Sequence, residues 1–467
     1  MLVPGHRLCF DAVDSMVLGP GCLHAGTREG VWRERGSRED CNYAVGPGLC
    51  TITAICFWHR NMKAHTRLVL GQPSWRLASD QVEAFVTQLG GHLGPVTFDR
   101  EERKIQPYAV APWAEEETDA SLPTILKVLR GDFFCLPFGG NATAFAGERH
   151  PVHGETANAT WAFQNLTTIG GVTSLHLSLQ TRPRKGQVDK RISLVDGHQA
   201  VYCQHVMSGM SGPMSFGHHA MLKFPDRQAS GLVSTSRFVY GQVFPEPSER
   251  PEARGYSFLK PGATFTTLDN VPTITGESTD LSRFPARRGY EDIAMIVNEP
   301  DVPFAWTAVS FPLERYVWFA LKDPKVLRET VFWFSNGGRH YPPWNGRHVN
   351  VLGLEEVTSY FHPGLAESVH PNPISEMGYP TCAHLNRERP LVVNYIMGLI
   401  RTPAGFNRVV EITASETNDA VVLRCEKNKT VSVALDATFL RRLPPSAENA
   451  PLPRSEEPRN GAQGMEP

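Results

Sequence analysis

The chain has 467 residues, with 46 Lys+Arg against 48 Asp+Glu and a formal net charge of -2. That balance argues against a general nucleic-acid binder, which needs a basic surplus for its phosphate contacts. No apolar run reaches the roughly 18 residues of a membrane span. With 41% hydrophobic and 20% charged residues, 40 glycines and 37 prolines, the composition predicts a globular, β-rich protein.

Five of the nine cysteines (Cys9, Cys22, Cys41, Cys50 and Cys56) fall within the first 61 residues. They form no C-x-x-C pair, and no basic start followed by an apolar stretch marks a secretory leader. Residues 1–61 show no hydrophobic periodicity. They are expected to be a non-native or disordered N-terminal extension, with native translation from Met62, and the cytoplasm is the expected location. Residues 62–443 are expected to form one large antiparallel β-sandwich or barrel. Residues 444–467, with Pro444, Pro445, Pro451, Pro453 and Pro458 among polar residues, read as a disordered Pro-rich tail.

Within 62–443, Leu122–Leu129 reads as a short helix closed by Gly131. Leu175, Leu177 and Leu179 alternate with polar residues, as do Val410, Ile412 and Ala414, and then Val431, Val433 and Leu435. Period-two alternation marks strands with one buried face. Pro324–Thr330 reads as a second short helix. Gly90-Gly91, Gly139-Gly140, Gly170-Gly171 and Gly337-Gly338 punctuate these runs as turns or bulges.

Three segments carry candidate chemistry. The first runs from Pro137-Phe138-Gly139-Gly140-Asn141 through Arg149 to His153-Gly154, Asn158 and Trp161. Glycine after His153 lets a loop turn tightly and project the imidazole into a cleft. Asn158 can hold a loop or a ligand hydroxyl, and Trp161 offers a flat apolar face of the kind on which sugars stack; a structural turn with a buried Trp is the alternative. The second segment is Ser215-Phe216-Gly217-His218-His219-Ala220-Met221, where strand alternation points only one of His218 and His219 at a cleft. In the third, Val351-Leu352-Gly353-Leu354-Glu355-Glu356, a carboxylate ends an apolar strand, which is costly unless it is paired or faces a site. The preceding loop supplies Arg339, Trp344 and His348 as a cleft wall.

The H-G-x-x-x-N-x-x-W pattern of His153, Gly154, Asn158 and Trp161 resembles the signature of aldose 1-epimerases, and is closest to their hexose-6-phosphate mutarotase-like branch. Gly217-x-His219 resembles the family's G-x-H-P-Y-F stretch, with Ala220 and Met221 where the family has Pro and an aromatic. The Leu354-Glu355 pair resembles the strand end that carries its base. The resemblance implies a galactose mutarotase-like supersandwich and interconversion of sugar anomers. It further implies Glu355 as base, His219 as acid and His153 as the group stabilising charge at the ring oxygen. Asn141, Arg149, Asn158, Trp161, His218, Arg339, Trp344 and His348 are then expected around a sugar or sugar phosphate. No cofactor, metal, nucleic acid or membrane is implied. Asp269 and Asp301 are candidates for the family's sugar-binding aspartate, and Arg182, Arg184, Lys185, Lys190 and Arg191 for a phosphate cluster. A non-catalytic carbohydrate-binding protein, or a sugar isomerase or lyase using the same cleft, are the competing expectations.

Overall fold

The computed structural model describes residues 65–444. The expectations for residues 1–61 and for the tail from Pro445 onward lie outside the described residues. Strand alternation builds two large sheets in which every named strand pairing is antiparallel. One sheet runs, in spatial order, through Thr264–Phe265, Phe238–Val243, Tyr290–Asn298, Glu329–Asn336, Val351–Thr358, Phe216–His218 and Phe134–Cys135, with Ala220–Lys223 also on Val351–Thr358. The other has nine strands, from Arg283–Phe284 at one edge through Tyr316–Lys322, Leu391–Arg401 and Ala200–Ser208 to Val172–Thr181 and Ala162–Ile169 at the other.

The two sheets bury their inner faces against each other. Phe332, Phe334, Leu352 and Leu354 of the first share a core with Leu175, Leu177, Trp318, Tyr395 and Met397 of the second. Each face is a single parity of its strands, as the pleat requires. The outer face of the nine-stranded sheet is also covered. Trp306, Phe319 and Ile396 pack there against Ile412, Val421 and Leu423 of a three-stranded sheet formed by Val409–Ala414, Ala420–Cys425 and Thr430–Ala434. On the outer face of the first sheet, Ile293, Val331, Trp333 and Val357 meet loops bearing Trp113, Phe133, Phe138 and Trp344. The candidate site lies there. Among the described residues no helix is long and apolar enough to cross a membrane.

Three local expectations need correction. Pro324–Thr330 is not a helix: the Asp323 carboxylate accepts from Lys325 N, and Val326 N bonds Asp323 O, which forms a turn feeding the strand Glu329–Asn336. In Val409–Ala414 the buried positions are Val409 and Ile412, with Val410 40% exposed, because a register shift between Val409 and Glu411 breaks the alternation. The first helix is shorter than expected, Thr124–Val128.

Candidate functional site

Register places the central pair. Gly217 lies opposite Val357 and Ala220 opposite Leu354, so His219 faces Glu355 and His218 faces Glu356 across the same pair of segments. Parity then sends the first pair outward and the second into the inter-sheet core. His219 Nε2 lies 3.0 Å from Glu355 Oε1. His218 instead bonds Asp132 through Nδ1 at 2.8 Å and packs on Tyr395 of the opposite sheet. His219 breaks the ladder: its backbone N–H donates to Phe133 O and to the Asp132 carboxylate rather than to the facing strand. Its ring stacks on Phe133 at 4.5 Å.

His153 reaches the same place from a loop held at its backbone. Gly154 has φ 74°, and a Cβ there would fall 1.8 Å from Leu136 O, so only glycine lets this turn close. His153 N bonds Gly139 O at 2.7 Å. Its Nδ1 accepts from Gly139 N–H at 3.4 Å and lies 3.2 Å from Cys135 Sγ. Its Nε2 lies 3.2 Å from Nε2 of His362, and its ring centre is 5.0 Å from that of His219. His362 comes from the loop after the Glu355 strand, whose backbone is bonded to the Gly139–Asn141 turn through Gly140 N to His362 O and Asn141 N to Pro363 O.

These groups line one cavity of about 310 Å³, walled further by Ile125, Leu129, Ile293, Trp333, Arg339, Tyr341 and Trp344. The Arg339 guanidinium sits 4.5 Å from the Trp344 ring and 5.3 Å from that of Trp333. Its Nε pairs with Glu249 at 2.6 Å, and Tyr341 donates to the same carboxylate. Behind it, Glu291 accepts from Trp333 Nε1, Ser335 Oγ and Gly338 N.

Burial dominates the electrostatics. It pushes Glu355 well above the usual carboxylate range, with Arg339 pulling the other way, and raises Glu291 to about 7. It depresses His219 to about 3 and His362 to about 4. His153 is also held well below 6.5 by burial, aided by His362 and His219. The cavity is therefore lined by neutral imidazoles beside a carboxyl group that resists ionisation. Glu355 Oε2 and His219 Nδ1 are buried without a partner among the described residues. Unpartnered polar atoms of this kind are costly where nothing is bound.

The other expected site residues fall elsewhere. Asn158 spans the loop: its Nδ2 donates to Val152 O and Gly154 O, both at 2.7 Å, and its Oδ1 accepts from Ile125 N. Asn141 likewise donates to Pro137, Gly139 and Pro151 carbonyls and accepts from Leu365 N. Trp161 is buried, bonded to Thr156 O and covered by Lys190. These three hold the His153 loop rather than line the cavity. Arg149 is exposed, and His348 lies behind Trp333, stacked on it and bonded to Ser335. Asp269 is exposed and Asp301 is an exposed partner of Lys325, so neither supplies a cavity aspartate. His362, Phe133, Glu249 and Glu291 were not legible in the sequence. A histidine between Phe361 and Pro363-Gly364 is a loop signal without chemical content, and Glu291 stands beside Asp292 at the start of a strand, with nothing local to tell which of the two faces a site.

No family model and no curated protein matches the sequence. Among solved structures, a galactose mutarotase related enzyme from Lactobacillus acidophilus is similar at 10% identity and TM-score 0.46, over 72% of this chain and 99% of that one. A galactose mutarotase-like protein from Clostridium acetobutylicum is similar at 11% identity and TM-score 0.48, over 72% and 98%. A TPR-domain containing protein from Parabacteroides distasonis is similar at 10% and 0.48, over 74% and 50%.

Proposed function

We propose that this chain is an aldose 1-epimerase-like enzyme that interconverts the anomers of a small sugar by general acid–base ring opening. The observation that carries the reading is the convergence of Glu355, His219 and His153 on one cavity, with His219 Nε2 at 3.0 Å from Glu355 Oε1 and the two imidazole centres 5.0 Å apart.

The proton inventory suits the reaction. Burial in the cavity favours a neutral carboxyl beside a neutral imidazole. Moving one proton between them gives a Glu355 carboxylate and a His219 imidazolium, which is the reactive form. Glu355 then takes the proton of the anomeric hydroxyl as C1=O forms. The ring C1–O bond breaks with its electron pair going to the ring oxygen, which takes the His219 proton. The pair is returned to its neutral form, and rotation about C1–C2 with the reverse transfers gives the other anomer. His153, which lines the same cavity, donates from Nε2 to the ring oxygen as charge develops. Each acid–base group supplies on the order of 10²–10⁴-fold.

Glu355→Gln keeps the side-chain shape but cannot take the proton. It is expected to fold and to lose about a hundredfold or more in anomer exchange, followed by NMR on freshly dissolved sugars. A variant with the full rate would overturn the assignment. A protein that only binds sugar on this fold would leave the spontaneous optical rotation change unaltered in polarimetry.

A further inference from the structure

We propose a second binding site, on the outer face of the nine-stranded sheet, for a small organic anion that joins a carboxylate or phosphate to an apolar body. It is separate from the Glu355 cavity and independent of the sugar reading. The three-stranded sheet and the turn Ala437–Arg441 cover part of that outer face. Beside the turn lies a cavity of about 620 Å³, within the range of small-molecule sites. Its floor is one parity of three paired strands: Val172 and Ser174, then Arg191, Ser193 and Val195, then Tyr202 and Gln204. Phe439, Arg442 and Leu443 wall it.

Arg191 supplies the charge. None of the basic residues from Arg182 to Arg191, expected as a phosphate cluster, lines the Glu355 cavity. Arg184 is paired with Glu148 and Lys190 is buried over Trp161, whereas Arg191 lines this second cavity. Its guanidinium makes no ion pair or hydrogen bond among the described residues. Asp189 feels its charge, but the Asp189 oxygens accept from His176 and Gln187, both at 2.7 Å, and leave the guanidinium donors untaken. Arg442, the other cation, is matched by Asp436 at 2.5 Å. A planar guanidinium with its N–H fork open fits a carboxylate or phosphate bidentately.

The neighbouring groups can donate as well. Asp436 N–H donates to the Tyr202 oxygen at 2.8 Å, so the hydroxyl proton has one acceptor among the described residues, His198 Nδ1 at 2.6 Å. Burial holds the His198 ring below its ordinary pKa, and the proton of that neutral ring is on Nε2. The Ser174 and Ser193 hydroxyls lie 2.7 Å apart, so one donates to the other and a second proton is left to give. Gln204 is held by Asn394 and the Arg442 carbonyl and bears no charge. The rest of the lining is apolar: Val172 is 36% and Leu443 56% exposed, together with Val195 and Phe439. A ligand with an oxyanion and an apolar part meets both needs, taking the Arg191 donors and covering the Val172 and Leu443 surface.

The test is calorimetry on the full chain with phenyl phosphate, phenylacetate, benzyl alcohol and inorganic phosphate. At least one aromatic anion is expected to bind about tenfold or more tighter than benzyl alcohol and than inorganic phosphate. The tighter of the two anions names the oxyanion. Equal affinity for benzyl alcohol, or binding of no probe, overturns the proposal. Arg191→Gln should keep the parent circular dichroism and weaken that anion about fivefold or more. Leu443→Ser should weaken it several-fold while leaving inorganic phosphate unchanged. Unchanged affinity for the anion in both variants overturns its assignment to this cavity. Glu355→Gln should bind it as the parent does; a loss there places the anion in the other cavity and overturns the proposal.

Discussion

Glu355 and Glu356 are neighbours on one strand, and both are about 1% exposed, yet they sit in opposite chemical worlds. Glu356 points between the sheets and is fully engaged: it pairs with Lys322 and accepts from Thr307 at 2.6 Å and Thr330 at 2.7 Å. Lys322 in turn donates to Glu329 O and Thr330. Glu355 points to the cavity with one oxygen on His219 and the other without a partner among the described residues. The first carboxylate is held for structure, since removing either partner would strand a buried charge. The second keeps the unmet capacity that a site needs to act on something else. Burial alone does not separate them; partner count does.

The comparison can be broken in graded steps. Lys322→Met should cost about 3–5 kcal/mol of stability in urea denaturation, the loss seen when one member of a buried ion pair is removed; a loss below about 1 kcal/mol would mean that the lysine is not what holds Glu356. Glu355→Gln should do the reverse, shifting stability by no more than about 1 kcal/mol while anomer exchange falls about a hundredfold or more. A third test is pH. His348 is buried behind Trp333 and depressed to about 3 by that burial, so on acidification the unfolded chain takes up its proton near 6.5 while the folded chain does not. Its contribution is intact above 6.5 and is lost as pH falls from there towards 3. Between pH 7 and pH 5, His348→Gln should therefore lose about 2 kcal/mol less stability than the parent chain; parallel curves would refute a neutral His348. Smallest is Asn158→Ala, which removes three loop hydrogen bonds. It should cost about 1–2 kcal/mol and reduce exchange through misplacement of His153. Unchanged activity would show the loop to be held without it.

The same two glutamates mark what the sequence made legible. Alternation identified the strands around Leu175–Leu179 and Val431–Leu435, and adjacency implied that Glu355 and Glu356 face opposite ways. It could not say which residue waits on each side, because Lys322, Thr307 and Thr330 arrive from strands distant along the chain and set in apolar runs. In the site, His153, His219, Glu355, Arg339 and Trp344 were readable from local motifs and loop composition. Asn158, Asn141 and Trp161 stood in the same motif, but a residue type suited to a sugar hydroxyl or ring is equally suited to a backbone carbonyl or a core. Only three-dimensional hydrogen bonding separates those uses. His362 became visible only once its loop was seen bonded to the turn at Gly139.

That stitching of two loops has a consequence for variation. A Cβ at Gly139 would fall 2.5 Å from His362 O, one at Gly364 2.5 Å from the Asn141 side chain, and one at Gly154 1.8 Å from Leu136 O, and all three glycines have positive φ. Random mutagenesis scored by growth or activity would thus find these three silent atoms' worth of side chain as intolerant of replacement as the groups that move protons. In a diverging lineage they would be retained together, as a single inherited joint.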